Sequence, residues 1–314
     1  MRAVRVVLTG GTGFVGSAVL RELLRLREAG GELGERQDIS VLAVGRRRPD
    51  GLDPVRDAWV RADLARPASL DGVCAGASAL LHFGGILSPD ADVCRMVNVE
   101  GTAALMGEAA RAGIGRIAHL STAAVYGRGP HRLRHVDEVA PAPVSVASAS
   151  RWTAERHALG AGAAVLRPGL VLGPGDRWVV PALAEVAGRV PALWDGGGHR
   201  HSLVTVDDLA RLAVGTVLGE RPVPGGIYHA HHPEPSTTKE IVDSLADLGA
   251  LPRLTRRLPW RECLDALHAS HGTVSERQFA LLALEHTYES DDIWERTGLS
   301  PGPPPHLRLA RTGL

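Results

Sequence analysis

Three glycines near the start of the chain have the spacing of an anion-binding turn. Gly10, Gly13 and Gly16 follow the apolar run at residues 4–8 and precede apolar residues at helical spacing. In such a turn the first glycine permits the bend, the second lets a diphosphate approach the backbone, and the third lets helix and strand pack closely. The first N–H groups of the helix then face the anion. Glycines are common in ordinary turns, but their place between a strand and a helix predicts a dinucleotide site.

The end of the second predicted strand, residues 39–44, bears on the choice of dinucleotide. An acidic side chain there would accept hydrogen bonds from the adenosine ribose, whereas a nearby arginine would pair with a 2′-phosphate. The strand is followed by Gly45 and Arg46. We therefore expect NADP, with NAD as the weaker candidate. A solvated arginine cluster at residues 46–48 is the alternative interpretation.

Strands and helices alternate along the first half of the chain, and they must position these residues. Strands are predicted at residues 4–8, 39–44, before Ala62, and at 79–82 and 116–120. The alternation predicts an α/β fold with a right-handed, doubly wound parallel sheet. Residues 28–38 are predicted to be a surface insertion, and a helix is expected to open at Asn98.

Small or polar residues follow two of these strands and extend the predicted cofactor site. Asp63 and Leu64 close the third strand, a usual place for contacts to the adenine edge. Phe83, Gly84 and Gly85 follow the fourth, where small residues let the backbone approach a ligand at the carboxyl end of the sheet.

Composition excludes several classes of protein. Acidic and basic residues number 35 each. The sequence has no basic run with interleaved aromatic residues, the pattern that would suggest nucleic-acid binding. No apolar stretch reaches the roughly 18 residues of a membrane span, and the first strand starts too early for a signal peptide. The three cysteines are widely spaced and suit reduced thiols. We expect a cytoplasmic protein with a small-molecule substrate, no metal site, and no nucleic-acid or membrane partner; a homodimer is compatible with the sequence.

Several motifs together resemble those of the extended short-chain dehydrogenase/reductases. They are Gly-Gly-Thr-Gly-Phe-Val-Gly at residues 10–16, Asp-Leu at 63–64, His-Phe-Gly-Gly at 82–85, Asn-Val-Glu-Gly-Thr at 98–102 and Ser-Thr-Ala-Ala-Val-Tyr-Gly at 121–127. Within this class the chain is similar to the NAD-dependent epimerase/dehydratase group, and residues 290–301 resemble the close of bacterial nucleotide-deoxysugar 4-ketoreductases. The resemblance implies a Rossmann fold with a smaller C-terminal substrate-binding part. It also implies cofactor contacts at Phe14, Val15, Asn98 and Pro168.

The tyrosine–lysine pair of that family is missing here. In the family the tyrosine transfers the proton that accompanies hydride transfer, and the lysine lowers its pKa and holds the nicotinamide ribose. Ser150 and Glu155 fix the register, which places Ala147 and Arg151 at the two positions. Ala147 has no proton to give; Arg151 keeps its protons but could still hold ribose hydroxyls. Thr122 matches the family residue that hydrogen-bonds the substrate oxygen.

Several other groups are candidates to replace the missing proton donor. Tyr126 is the nearest phenol in sequence, although the family tyrosine at this position usually packs or orients. Ser148 and Ser145 flank the vacancy and could carry a water, or could simply cap a helix. His131 and His135 lie in the following loop and have a suitable ordinary pKa; a solvated loop histidine is the alternative for each.

The substrate-binding half departs from the family as well. The family arginine that grips a sugar-nucleotide diphosphate is replaced by His201, with Arg200 one position earlier. Arg200 could reach a phosphate or could be a surface residue. Trp178 and Trp194 fall where a pocket wall is expected, or join the core. Residues 301–305 are expected to end the ordered structure.

These observations predict a nucleotide-binding domain at residues 1–170, completed by a returning strand near 226–230. Residues 171–225 and 231–314 are expected to form the substrate-binding part. The leading hypothesis is an NADP-dependent reductase or epimerase-like enzyme that acts on a nucleotide-linked or glycosylated keto intermediate in secondary-metabolite biosynthesis. The alternatives are a cofactor-binding sensor or scaffold without redox activity, and an enzyme that performs a dehydration, cyclisation or isomerisation in the same pocket.

Overall fold

The computed structural model describes residues 3–29, 38–221 and 223–309. Within these ranges the chain forms fifteen strands: β1 (Ala3–Thr9), β2 (Asp38–Gly45), β3 (Ala58–Arg61), β4 (Ala79–His82), β5 (Ile117–Leu120), β6 (His131–Arg134), β7 (Ala164–Arg167), β8 (Leu170–Leu172), β9 (Leu193–Trp194), β10 (Arg200–His201), β11 (Leu203–Thr205), β12 (Gly226–His229), β13 (Ser236–Thr237), β14 (Arg257–Leu258) and β15 (His286–Tyr288).

The same ranges contain ten α-helices: α1 (Phe14–Ala29), α2 (Ala91–Cys94), α3 (Gly101–Arg111), α4 (Val146–Gly160), α5 (Val179–Arg189), α6 (Val206–Leu218), α7 (Thr238–Asp247), α8 (Trp260–Ala269), α9 (Glu276–Ala283) and α10 (Asp291–Thr297). A π-helical segment, Arg95–Glu100, joins α2 to α3. None of these helices is long and apolar enough to cross a membrane.

Seven parallel strands form the central sheet, in the order β12-β7-β5-β4-β1-β2-β3. Val6, Val7 and Leu8 of β1 are fully buried, as the near-continuous apolar strands of a parallel sheet are. The strand order runs outward in both directions from β1 and β4, so the topology reverses between them. This confirms the predicted doubly wound α/β fold, in which ligands bind in the crevice at such a reversal.

Helices cover both faces of the sheet because successive side chains of a strand point to opposite sides. Val6 and Leu8 share a hydrophobic core with residues of α1 and α6. Val7 packs on the other face with Leu105 of α3 and Ala158 of α4. α4, which carries the positions of the missing catalytic pair, is therefore held against the sheet beside the carboxyl end of β5.

A second hydrophobic core is formed by α5, α7, α8 and α9. Trp194 is fully buried there and meets the ring of Phe279 edge to face at 5.2 Å, so it is a core residue and does not wall a pocket. α7 carries Lys239, which pairs with Asp243 one turn later.

The cores do not follow the expected division of the chain. α6 and Trp294 of α10 were expected in the substrate-binding part but lie in the core of the sheet. Their apolar faces, and not their places in the sequence, decide where they pack. β12 pairs with β7 at the edge of the sheet, where the strand near residues 226–230 was expected to return.

The helix expected to open at Asn98 begins seven residues earlier, at Ala91. The Asp90 carboxylate caps this start by accepting hydrogen bonds from the backbone N–H groups of Asp92 and Val93. Asn98 itself lies within the π-helical segment. The earlier start follows from the cap, because aspartate satisfies the free N–H groups of a first turn.

Two further expectations concern chain segments outside the sheet. Most of the predicted insertion at residues 28–38 lies outside the described residues, and its two ends belong to α1 and β2. Ordered structure does not end at residues 301–305. The Ser244 hydroxyl donates to the carbonyl of His306 at 2.6 Å, and Leu309 is fully buried.

Candidate active site

The glycine turn between β1 and α1 is built as tightly as glycine allows. Gly10 has φ of +77°, and a Cβ there would lie 2.4 Å from the carbonyl oxygen of Phe83. A Cβ on Gly16 would lie 2.1 Å from the carbonyl oxygen of Gly10. Gly13 donates its N–H to that same oxygen at 2.8 Å. Any larger side chain at the first or third glycine would therefore push the turn away from the sheet.

Gly13 and the two residues that follow it have different surroundings. A Cβ on Gly13 would contact only the carbonyl oxygen of Gly10, at 3.2 Å, so its other side is open. The side chains of Phe14 and Val15 pack against the core of the sheet. Their contribution to an anion site is therefore limited to the backbone N–H groups at the start of α1.

A cleft of about 330 Å³ extends from this turn along the carboxyl ends of the strands. It brings together most of the residues that the sequence predicts for the cofactor: Gly10, Gly13, Arg46, Asp63, Leu64 and residues 83–85. The cleft crosses the reversal between β1 and β4. Its glycine lining suits the close approach of a dinucleotide diphosphate.

One end of the cleft is strongly basic. Arg46 and Arg47 follow β2, and Arg177 reaches the same cleft from the loop between β8 and α5. Within the described ranges none of these three guanidinium groups has a carboxylate within ion-pair distance. Sequence reasoning missed Arg177, because its position depends on how α5 packs.

The loop that carries Arg177 is fixed by Asp176, whose carboxylate accepts hydrogen bonds from the N–H groups of Trp178 and Val180 at 2.8 Å each. Trp178, expected to wall the substrate pocket, is 60% exposed. It lines neither the cleft nor the smaller cavity described below.

Asn98 supports the cleft from behind. Its side chain accepts a hydrogen bond from the N–H of Ile86 at 2.8 Å and donates to the carbonyl of Ile86 and to Ser150. These bonds fix the loop after β4 against α4. Asn98 therefore positions Ile86, which lines the cleft, and does not line the cleft itself.

Arg151 lies under the same loop, on the first turns of α4. It donates a long hydrogen bond, 3.4 Å, to the carbonyl of Leu120, and its Nε is buried without a partner. Its Nη2 is 3.6 Å from the place of a Cβ on Gly85. Burial lowers the pKa of Arg151. A buried guanidinium without an anion is costly, so this group is placed to donate a hydrogen bond to a ligand oxygen.

Two histidines lie beneath the cleft beside Arg151. His82 contacts the hydroxyls of Thr9 at 2.7 Å and Thr102 at 2.9 Å. His119 stacks on His82 at 5.0 Å, and neither of its ring nitrogens has a partner. Burial lowers the pKa of His82 to about 3 and holds that of His119 well below its usual range.

Ser145 and Ser148 form a capping box at the start of α4. The Ser145 hydroxyl accepts the N–H of Ser148 at 3.1 Å, and the Ser148 hydroxyl bonds back to residue 145. Ser148 is buried. Its hydroxyl therefore serves the helix start and gives no support to its expected role as a proton donor.

A second, smaller cavity of about 120 Å³ adjoins the end of β5. It is lined by Thr122, Pro168 and His201, which the sequence singled out, and by His286 and Tyr288, which it did not. The Thr122 hydroxyl oxygen accepts the N–H of Ala124 at 3.1 Å, so its proton remains free to be donated. This cavity is the candidate substrate site.

The histidines of the cavity are poor proton donors. His201 is buried and contacts Thr238 at 2.9 Å, and burial lowers its pKa to about 3. Burial also lowers the pKa values of His286 and of His131 in the neighbouring strand β6. All three are neutral near pH 7. His135 uses its backbone N–H to bond Glu138 and lies outside the cavity lining.

Tyr126 is buried behind the cavity in a polar network. Its phenol lies 2.7 Å from Nε2 of His229 and accepts a hydrogen bond from Arg167 at 2.8 Å. Arg167 makes two hydrogen bonds to Glu155, which also accepts from Ser121. The network joins α4 to the sheet. Its hydroxyl is engaged there and Tyr126 does not line the cavity, so the structure gives no support to its expected catalytic role.

Arg200 is held by Glu285, with its Nη2 3.1 Å from a carboxylate oxygen. Because of this ion pair, Arg200 is not free to bind a diphosphate in the way expected from the sequence. Within the described ranges no group of three or more metal-ligating side chains is placed to hold an ion.

Known proteins resemble this chain over most of its length. Residues 6–228 match the NAD dependent epimerase/dehydratase family. A 2-alkyl-3-oxoalkanoate reductase of Stenotrophomonas maltophilia (strain K279a) is 29% identical and covers 89% of this chain and 84% of its own length. A dTDP-glucose 4,6-dehydratase of Streptomyces niveus is 28% identical, covering 82% and 81%. The structure of the dTDP-glucose 4,6-dehydratase DesIV from Streptomyces venezuelae, solved with NAD bound, is 25% identical, covers 98% of this chain and 95% of its own, and has a TM-score of 0.69.

Proposed function

The chain belongs to the NAD-dependent epimerase/dehydratase family, and we propose that it is an NADP-dependent reductase of a ketone substrate. The observation that carries the proposal is the presence of two sites at the carboxyl ends of strands that neighbour one another in the sheet. A glycine-lined cleft with an arginine-rich end suits the cofactor, and Thr122 faces a separate small cavity that suits a carbonyl group. When bound, the cofactor supplies the hydride.

The preference for NADP is supported by the end of β2. Gly45 offers no carboxylate to the adenosine ribose, and Arg46, Arg47 and Arg177 line the cleft without acidic partners in the described ranges. A charge-assisted hydrogen bond contributes about 1.5–3 kcal/mol, less where salt screens it. A 2′-phosphate would give these guanidinium groups the anion that they lack.

The absence of a phenol at Ala147 favours reduction over the other reactions of the family. Oxidation of a hydroxyl, with which epimerisation and dehydration begin, needs a base that removes a proton. Neither Ala147 nor the guanidinium of Arg151 can act as one. Reduction needs only a proton donated to the product oxygen, a role that a neutral acid or water can fill.

Thr122 is proposed to orient the substrate carbonyl. Because its oxygen already accepts the N–H of Ala124, its hydroxyl proton is directed to another acceptor. Arg151 is proposed to hold the nicotinamide ribose through its unpartnered Nε and adjacent nitrogens. Both residues lie where family members carry binding groups.

For the substrate we propose a nucleotide-linked or glycosylated keto compound, since the dehydratase relatives are named for a nucleotide-linked sugar, dTDP-glucose. The engagement of Arg200 by Glu285 favours a second candidate, because the arginine is then not free for a diphosphate. Ala123, Ala124, Leu170 and Leu281 make much of the cavity wall apolar. A 3-oxoacyl compound, the class named for the Stenotrophomonas relative, suits such a wall.

Single-turnover oxidation of bound NADPH tests the proposal. Candidate substrates are a dTDP-4-keto-6-deoxysugar and ethyl 2-methylacetoacetate. The reaction is followed by the absorbance of the nicotinamide. Rapid oxidation that Thr122→Ala slows about 10²-fold or more supports the enzyme. Tight NADPH binding with no oxidation by any ketone would instead favour a sensor, a scaffold or a non-redox enzyme.

Titration with NADPH and NADH tests the cofactor preference separately. Arg46→Ala and Arg177→Ala are each expected to weaken NADPH binding about 10-fold at low salt and to leave NADH binding nearly unchanged. Arg261→Ala is the matched control, because Arg261 is an exposed arginine of α8 outside the cleft. Equal affinity of the parent protein for the two dinucleotides would contradict the preference.

A further inference from the structure

We infer that Tyr288 donates the proton in this reaction, in place of the phenol that the family carries at the position of Ala147. The inference rests on the proposed reductase function and names a catalytic group for it. It is carried by a cavity that Tyr288 shares with Thr122, although the two residues are 166 positions apart in the chain.

Tyr288 is fixed at the edge of the candidate substrate site. Its N–H donates to the Ser202 hydroxyl at 3.0 Å, and its carbonyl lies 2.9 Å from Nε2 of His231. Its ring stacks on that of Tyr126 at 5.1 Å. These contacts leave the ring little freedom to rotate away from the cavity.

The phenolic oxygen of Tyr288 is available. It has no hydrogen-bond partner among the described residues, and it is absent from the fully enclosed polar atoms that lack one. Although the residue is 4% exposed, its oxygen therefore borders open space. Tyr288 lines the same cavity as Thr122, and we place this open space there.

The other two tyrosines of the chain are engaged elsewhere. Tyr126 bonds Arg167 and His229 through its hydroxyl. Tyr228 donates to the carbonyl of Pro224 at 2.9 Å, at the far edge of the sheet. Tyr288 is thus the one tyrosine of the described residues that both lines the cavity and has a hydroxyl without a partner.

Burial raises the pKa of Tyr288, with the nearby charge of Arg167 opposing the shift. The group therefore stays protonated at neutral pH, which suits an acid and not a base. His201 and His286 share the cavity, but their lowered pKa values leave them neutral, without an additional proton to donate. The protonation states of the cavity thus agree with the direction of reaction proposed above.

The step balances as follows. The hydride adds to the carbonyl carbon of the substrate, and the C=O electron pair moves to oxygen. The alkoxide so formed takes the proton from the Tyr288 hydroxyl and becomes the alcohol. The tyrosinate then regains a proton from solvent water, and the two electrons gained by the substrate would be balanced by oxidation of NADPH to NADP⁺. An alkoxide is a much stronger base than a phenolate, so the transfer is downhill even with a raised pKa.

Single-turnover oxidation of bound NADPH tests the inference. The substrate is whichever of the two ketones named above the parent protein reduces faster. Tyr288→Phe should slow the step about 10²–10⁴-fold. Its affinity for NADPH and its far-ultraviolet circular dichroism should match the parent. Tyr228→Phe, the matched control, should react at the parent rate. Adding Ala147→Tyr to Tyr288→Phe returns a phenol to the family position and should recover part of the lost rate.

The outcomes separate this inference from the proposed function. If Tyr288→Phe reacts within about threefold of an active parent, or if Tyr228→Phe is slowed equally, Tyr288 is not the donor while the reductase stands. If the parent binds NADPH but reduces neither ketone, the proposed function and the inference both fail.

Discussion

Gly13 offers the sharpest test of the dinucleotide site at the scale of one residue. A Cβ there would meet only the carbonyl oxygen of Gly10 at 3.2 Å and would otherwise project into the cleft. Gly13→Val should therefore abolish binding of NADPH and NADH while the protein still folds. Fluorescence titration and thermal unfolding measure the two effects.

Gly16→Ala is the matched comparison, because its Cβ would lie 2.1 Å from the carbonyl oxygen of Gly10. Relief of that clash requires backbone movement, so we expect a loss of about 1–3 kcal/mol in the free energy of unfolding. Unaltered cofactor binding in Gly13→Val would remove the assignment of the turn.

Some residues of the candidate site could be predicted from the sequence and others could not. Gly10, Gly13, Arg46 and residues 83–85 were predictable because each follows a strand whose apolar run is evident, and all of them line the cleft. Arg177 and Tyr288 were not, because helix packing and strand pairing far along the chain bring them to the site. No local pattern around either residue indicates a ligand.

At the scale of elements, the ion pair of Glu155 and Arg167 joins α4 to β7. Both side chains are 2% exposed. Glu155→Gln would leave the Arg167 guanidinium buried without its anion, so the free energy of unfolding should fall by about 3–5 kcal/mol in urea titrations. Replacing both residues, as in Glu155→Gln with Arg167→Met, should recover much of that loss. If the single change cost less than about 1 kcal/mol, the pair would not hold α4 in place.

Elements were predictable where one sequence signal dominates. β4 has the bounds expected from its apolar run, residues 79–82. The helix expected at Asn98 starts earlier, because the Asp90 cap outweighs the apolar pattern downstream. α6 packs on the central sheet, although residues 171–225 were expected to belong to the substrate-binding part, because the pattern of an amphipathic helix does not indicate which of two apolar surfaces it will cover.

For the whole molecule, buried histidines predict how stability depends on pH. His82, His201 and His229 each have a pKa lowered to about 3 by burial, against an ordinary value of 6.5. Between these values the unfolded chain binds more protons than the folded one, so stability is full above about pH 6.5 and falls as the pH decreases. Each histidine contributes a slope of about 1.4 kcal/mol per pH unit within that window.

Urea unfolding at pH 7 and pH 5 measures this slope. His82→Gln keeps a polar side chain near Thr9 and Thr102 but cannot titrate, so its stability should fall less between the two pH values. A slope equal to that of the parent would show that His82 is not neutral and buried in the folded protein.

Lys239 gives the molecule a practical property. It is the only lysine in the sequence, and it lies within α7 on the second hydrophobic core. A protease that cuts after lysine therefore has a single target bond, between Lys239 and Glu240. Because a helical bond must first unwind to enter a protease, the cutting rate under native conditions reports how often α7 opens. Cleavage rates compared with and without NADPH would measure whether the proposed binding at the glycine turn stabilises α7.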